Sequence, residues 1–256
     1  MVRIYAKPGH RGDAAPEVDA SLLRLVRGLV PVPEVLEVRR RDAATDSPGL
    51  LVTSFVDGVR GDELLPTLDE RGLATLGDRL GTLAAILAGM PMLRSGPFVD
   101  GDLRIGFFDV PDGLPAYVED LGLVELRGVA EQAQALLDTV TRCSLVHGDL
   151  NPKNVLVDPD SLEVTALVDW EFAHAGHPFT DLGNLLRFDR APTYVDAVLG
   201  AFTDHVGDTP AVALALARAA DLRALIELAS RAGQNPVADR AYALIAEIAR
   251  TGDLSV

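Results

Sequence analysis

The chain has 256 residues, 48% of them apolar and 24% charged, enough for one large domain or two small ones with a buried core. Its 23 basic and 38 acidic side chains leave a net charge of −15, which disfavours nucleic acid and anionic membranes as partners and favours polycations. A single cysteine, Cys143, excludes an intramolecular disulfide and argues against a thiolate metal cage; no signal-like start and no apolar run of about 20 residues appear, so a cytoplasmic location is expected.

Residues 2–5 read as a short strand ended by Lys7-Pro8-Gly9. Val18, Leu22, Leu25, Val26 and Leu29 then recur with a helical period, and Val30-Pro31-Val32-Pro33 is expected to stop that helix. Two further strands are expected over 35–39 and 50–56, joined by a turn-rich stretch over 43–49. Beyond Asp57-Gly58 the character becomes helical, with Leu73, Leu76, Leu80, Leu83 and Leu87 forming a one-faced stripe. A Gly- and Pro-rich loop is expected over 89–115, and a helix through Val129, Ala133, Leu136 and Val140. Short apolar strands are expected over 145–147, 155–157 and 164–168, followed by helices over 193–206, 211–232 and 236–250. The pattern predicts an α+β protein with a small β-containing lobe over 1–56 and a larger helical lobe over 57–256, the latter carrying loops 145–157 and 168–172.

Chemistry concentrates in His147-Gly148-Asp149-Leu150-Asn151-Pro152-Lys153-Asn154 and in Val168-Asp169-Trp170-Glu171. Both segments follow or precede apolar strands, so their polar residues fall on loops that a hairpin brings together. Phosphoryl transfer needs this set. Magnesium takes oxygen ligands and keeps several waters, so one carboxylate and one amide suffice beside the nucleotide phosphates. A separate carboxylate must orient the acceptor hydroxyl and receive its proton. Asp149 and Asn154 have the spacing of the protein-kinase catalytic loop, and Asp169 stands where the metal-binding Asp of that fold would be.

Together with Asp181-Leu182-Gly183-Asn184, these motifs resemble the signature of the aminoglycoside phosphotransferase and choline-kinase-like family of small-molecule kinases. The resemblance covers nearly the whole chain, with its specific part in 144–188. It implies a protein-kinase-like bilobal fold and an ATP- or GTP-dependent phosphotransferase that uses Mg²⁺. By the same resemblance Asp149 is the catalytic base beside His147, Asn154 and Asp169 hold the metal, and Asp181 braces the catalytic loop. Val2-Arg3-Ile4-Tyr5 resembles the family's third strand, whose basic residue contacts the phosphates. The family's ungapped pattern pairs Arg3 with Asp19, while Glu17, two residues earlier, points elsewhere on a helix. Lys7 lies past the strand and is the weaker phosphate candidate. Nothing in the sequence precedes this strand, so the family's first two strands and phosphate-covering loop are expected to be absent. The connector Ser54-Phe55-Val56 is expected to offer backbone groups to the purine.

The resemblance and the acidic charge together point to transfer onto a hydroxyl of a cationic small molecule, an aminoglycoside or a basic peptide antibiotic, with Glu171, Asp189 and Glu227 as candidate contacts. Two alternatives stand beside it: a kinase of choline, homoserine or a sugar, and a kinase-like binding module without activity. An aromatic content of 5%, with a lone Trp170 in the metal loop, weighs against a choline cage.

Overall fold

A computed structural model describes residues 1–6, 11–42, 45, 47–109 and 113–254. The chain opens with β1 (Val2–Tyr5), α1 (Ala15–Val26), β2 (Val35–Arg39) and β3 (Gly49–Thr53). These strands form an antiparallel sheet in the order β1-β3-β2, with Arg3 opposite Leu51. Helix α1 buries Val18, Leu22 and Val26, and Leu51 of β3 joins them in one apolar cluster. The helix ends three residues earlier than its apolar period suggests. Gly28, at φ +85°, turns the chain back, and Leu25 and Leu29 are left exposed. Strand β3 likewise stops at Thr53, short of the expected 56.

Next come β4 (Val59–Arg60), α2 (Gly61–Leu64) and the long α3 (Glu70–Ala88). Asp69 caps α3 by accepting from the Gly72 N–H at 2.8 Å, so its start is fixed by a side chain as well as by apolar spacing. The segment read as a loop over 89–115 holds two short strands, β5 (Pro91–Met92) and β6 (Gly96–Pro97), and α4 begins at Leu114 and runs to Asp120. Then follow α5 (Arg127–Leu137), β7 (Cys143–Val146), β8 (Val155–Val157), β9 (Val164–Leu167) and β10 (His174–Gly176). The remainder is α6 (Thr180–Leu186), α7 (Pro192–Val206), α8 (Pro210–Ala229) and α9 (Pro236–Thr251). Helix α8 ends three residues before its predicted limit at 232.

Strand pairing positions the site. β7 runs antiparallel to β10, with Val146 opposite His174. β8 runs antiparallel to β9, with Val155 opposite Leu167. The 147–154 loop leaves β7 and enters β8, while the 168–173 loop leaves β9 and enters β10, so the two must face each other. The Val168 N–H closes the gap by donating to the Asn154 carbonyl at 2.9 Å.

Two apolar clusters support this frame. One joins α1, α3, α6 and α7 through Leu22, Leu80, Leu182 and Phe202, and it is continuous across residue 56. The other joins α4, α5, α8 and α9 through Tyr117, Val129, Ile226 and Ala241. Among the described residues no helix is long and apolar enough to cross a membrane.

Helices α3 and α7 approach closely at glycines. A Cβ on Gly81 would lie 2.3 Å from the Val198 carbonyl oxygen, and one on Gly77 would lie 2.9 Å from that of Tyr194. Gly81→Ala should therefore lower stability by about 1–3 kcal/mol through overpacking, although alanine is the better helix former by about 1 kcal/mol. Urea unfolding measures the difference, and an unchanged or raised stability would show that the helices separate at no cost.

Candidate active site

The catalytic loop is held from below by α6. Asp181 accepts from the His147 N–H at 2.8 Å and the Gly148 N–H at 3.0 Å. Asn184, one helical turn on, accepts from the Leu150 N–H at 3.1 Å. Its Nδ2 donates to buried Asp221, which is also bound by Arg187. Burial is the main force on Asp181 and pushes its pKa up to about 7, while its two N–H bonds pull it back down. Gly148 sits at φ +81°, and a Cβ there would lie 2.4 Å from the Phe172 carbonyl oxygen. Only glycine fits this approach of one loop to the other.

His147 is 0% exposed. Its Nδ1 accepts from the Asp149 N–H at 3.3 Å, which assigns the proton to Nε2, 3.1 Å from the Val168 carbonyl. Burial lowers its pKa to about 4 against the pull of the Asp149 and Asp169 carboxylates and the Val168 carbonyl. A residue so enclosed cannot touch a substrate. The expected catalytic part for His147 is thus corrected to one of support, linking Asp149 to the metal loop.

The side chain of Asp149 is 17% exposed. One carboxylate oxygen accepts from Asn151; the other accepts from Asn154 at 2.8 Å and lies 3.1 Å from Lys153. Asn154 also donates to the Asp149 carbonyl at 2.9 Å. Its amide nitrogen is therefore committed to Asp149, which leaves Oδ1 as the group able to face a cation.

Asp169 follows β9 at φ +66°, in the left-handed region that Asp tolerates better than most side chains. This twist lifts its carboxylate out of the strand, to 40% exposure. Among the described residues no group of three or more His, Cys, Asp and Glu could hold a metal ion. Magnesium does not require one, since an amide oxygen, a carboxylate, nucleotide phosphates and waters complete its usual octahedron. Asn154 and Asp169, on loops joined by the bond from Val168 to the Asn154 carbonyl, present one amide oxygen and one carboxylate of that kind.

Arg3 projects from β1 onto the same loop, 3.0 Å from Asp169 and paired with Glu171. It comes within 4.0 Å of Asp19, so the expected pair is brought together, but loosely. The close partners of Asp19 are Arg11 and the Tyr5 hydroxyl. Glu17 points elsewhere, toward Arg40 at 3.4 Å. Lys7 lies outside the described residues. The cavity beside Arg3 is lined by Leu51, Thr53, Asp169 and Trp170. The connector differs from expectation here: the Ser54 N–H already donates to the Glu34 carbonyl at 2.8 Å, Phe55 is 81% exposed, and Thr53 lines the cavity instead of Ser54, Phe55 or Val56.

The three acidic candidates for a cationic substrate divide. Glu171 is paired with Arg3. Glu227 is exposed on α8, accepts from the Tyr117 hydroxyl at 3.4 Å, and shares with Asp149 an electrostatic pull on Arg187. Asp189 has its pKa raised by burial, and its charged neighbours are Arg240 and Asp62, the latter on α2, whose Gly61 packs against Pro152 of the 147–154 loop. Sequence reading missed Arg11, which carries no periodic or spacing signal. It quoted Asn184 only as the end of the 181–184 motif and gave it no role, although a position three residues after Asp181 on a helix shares its face.

Paired loops of this kind, one carrying an oriented carboxylate and the other a left-handed Asp, suit phosphoryl transfer, and comparison with known proteins gives the class of the chain as a kinase-type phosphotransferase. The profile of the phosphotransferase enzyme family, APH, matches residues 1–232, and the chain belongs to that family. Aminoglycoside 3'-phosphotransferase of Streptomyces ribosidificus is 34% identical over 222 residues, 80% of each chain. A thermostable mutant of aminoglycoside phosphotransferase APH(4)-Ia, solved as a ternary complex with ADP and hygromycin B, has the same fold. It superposes with a TM-score of 0.61 at 18% identity over 98% of this chain and 86% of that one. A shorter match, 42% identical over 53 residues, spans 21% of this chain but only 7% of mouse acyl-CoA dehydrogenase family member 11.

The enclosed imidazole predicts a pH effect. His147 titrates near 4 when folded and near 6.5 when unfolded. Its contribution to stability is therefore full above pH 6.5 and lost as pH falls toward 4, on the order of 3 kcal/mol for a fully buried group. Asp181 acts with the opposite sign, its contribution being lost as pH rises from 3.8 to about 7. Unfolding measured across this window should fall less steeply toward acid in His147→Asn than in wild type. Parallel curves would remove His147 from the acid response.

Proposed function

We propose that the protein transfers the γ-phosphoryl group of ATP or GTP to a hydroxyl of a cationic small molecule, an aminoglycoside or a basic peptide antibiotic, and thereby inactivates it. The observation that carries this reading is the Asp149 carboxylate, fixed by Asn151, Asn154 and Lys153 at a cleft that Asp169 enters from the facing loop. In this reading Asp149 binds the acceptor hydroxyl and takes its proton as the oxygen attacks the γ-phosphorus. Asn154 and Asp169 hold Mg²⁺, which when bound neutralises the phosphate oxygens. Arg3 adds positive charge on the nucleotide side, and Asp181 keeps the catalytic loop in register. The net charge of −15 raises the local concentration of a polycation, with Glu171, Asp189 and Glu227 as candidate contacts. The relative from Streptomyces ribosidificus, named for 3'-phosphorylation of aminoglycosides, supports the substrate class.

Nucleotide consumption with Mg²⁺ against aminoglycosides, basic cyclic peptides and aminoalcohols tests the substrate class. Turnover with aminoalcohols alone would overturn it. Asp149→Asn should cut turnover by about 10²–10⁴-fold while leaving the fold intact. A variant keeping more than about a tenth of wild-type turnover would exclude Asp149 as the base.

Asp169→Ala should abolish the thermal stabilisation given by Mg-nucleotide, whereas Asp149→Asn should retain it, because a ligand stabilises only the state that binds it. Equal shifts in wild type and Asp169→Ala would place the metal elsewhere.

A further inference from the structure

Asp19 sits at the centre of a buried charge cluster that the proposed chemistry does not use directly. Its carboxylate accepts from the Tyr5 hydroxyl at 2.5 Å and from Arg11, with Arg3 at 4.0 Å. The side chains of Arg11 and Asp19 are 3% and 4% exposed. A charge pair so enclosed needs its donors met, and the second terminal nitrogen of Arg11 is met by backbone. Its second terminal nitrogen donates to the carbonyls of Trp170 at 3.1 Å and Ala173 at 2.5 Å. Those carbonyls bracket the single turn Trp170–Phe172 that follows Asp169. Arg11 is thus a bolt between α1 and the metal loop.

We infer that Arg11 is a positioning residue for the magnesium-nucleotide site, fastening Asp19 of α1 to the turn that sets the direction of Asp169. The inference rests on the proposed function for what the loop binds, but not for the fastening itself. With Asp19 held by Arg11, the guanidinium of Arg3 is spared a permanent partner on α1. It instead faces Asp169 and Glu171 at the cleft, where nucleotide phosphates and their metal arrive. The planar fork of arginine is essential to this part, since one group must meet a carboxylate and two carbonyls at once. A lysine presents its charge at a single point and cannot span them.

Trp170 is the only tryptophan in the chain, so its emission reports on this turn alone. Arg11→Lys keeps the charge beside Asp19 and removes the fork. The expected result is a folded protein with Trp170 more open to acrylamide quenching. It should bind a non-hydrolysable ATP or GTP analogue with Mg²⁺ at least tenfold more weakly, and turnover should show the loss mainly as a raised KM for nucleotide. Unchanged quenching in folded Arg11→Lys overturns the inference, whatever happens to affinity, because Arg11 would then not act through the loop; unchanged affinity overturns it as well. If Arg11→Lys does not fold, Arg11→Gln is read in the same way, and failure of both to fold assigns Arg11 to folding and ends the proposal. Should wild type bind no Mg-analogue, the functional reading fails on its own, and the quenching comparison alone decides whether Arg11 holds the loop.

Discussion

The arrangement depends on one buried carboxylate. Asp181 is buried under the catalytic loop and satisfies two consecutive backbone N–H groups, those of His147 and Gly148, which the turn out of β7 leaves without partners. Without it those donors would be enclosed and unmet, a cost of about 1–3 kcal/mol each. Its influence extends through α6, because Asn184 on the same face holds Leu150 and leans on Asp221 and Arg187. A short polar network in the large core therefore fixes the backbone from which Asp149 projects.

The 168–173 loop is secured differently. It is tied to the 147–154 loop by strand pairing, by the Val168–Asn154 bond and by the His147 ring packed 4.5 Å from that of Trp170, and to α1 by Arg11. Asp149 and Asp169 thus inherit their positions from neighbours whose own donors and acceptors are filled, the condition under which a polar network rigidifies a site.

The sequence showed the loops more clearly than their supports. Residues 147–154 and 168–171 were legible because polar clusters there interrupt short apolar runs, a local contrast that needs no tertiary knowledge. Helix α6 was not legible. Asp181, Gly183 and Asn184 are poor helix formers, and the helix exists because each has a distant partner. Asp181 and Asn184 take loop N–H groups, and Gly183 admits the Ala217 carbonyl, which would lie 2.4 Å from a Cβ there. Helix α1 was read too long because apolar spacing continued past Gly28, whose backbone turns the chain. Arg11 gave no signal because, besides Asp19, its partners are backbone carbonyls about 160 positions away, invisible to any periodicity.

The left-handed backbone of Asp169 has an evolutionary consequence. Few residues with a side chain occupy that region cheaply; Asp and Asn do so because their short polar groups bond locally, whereas β-branched residues are strained there. Drift at this position is channelled toward Asn or Gly, both of which keep the turn while removing the carboxylate charge. Descendants changed by this route would keep the architecture, so members of the lineage with Asn or Gly at the equivalent place should be found folded.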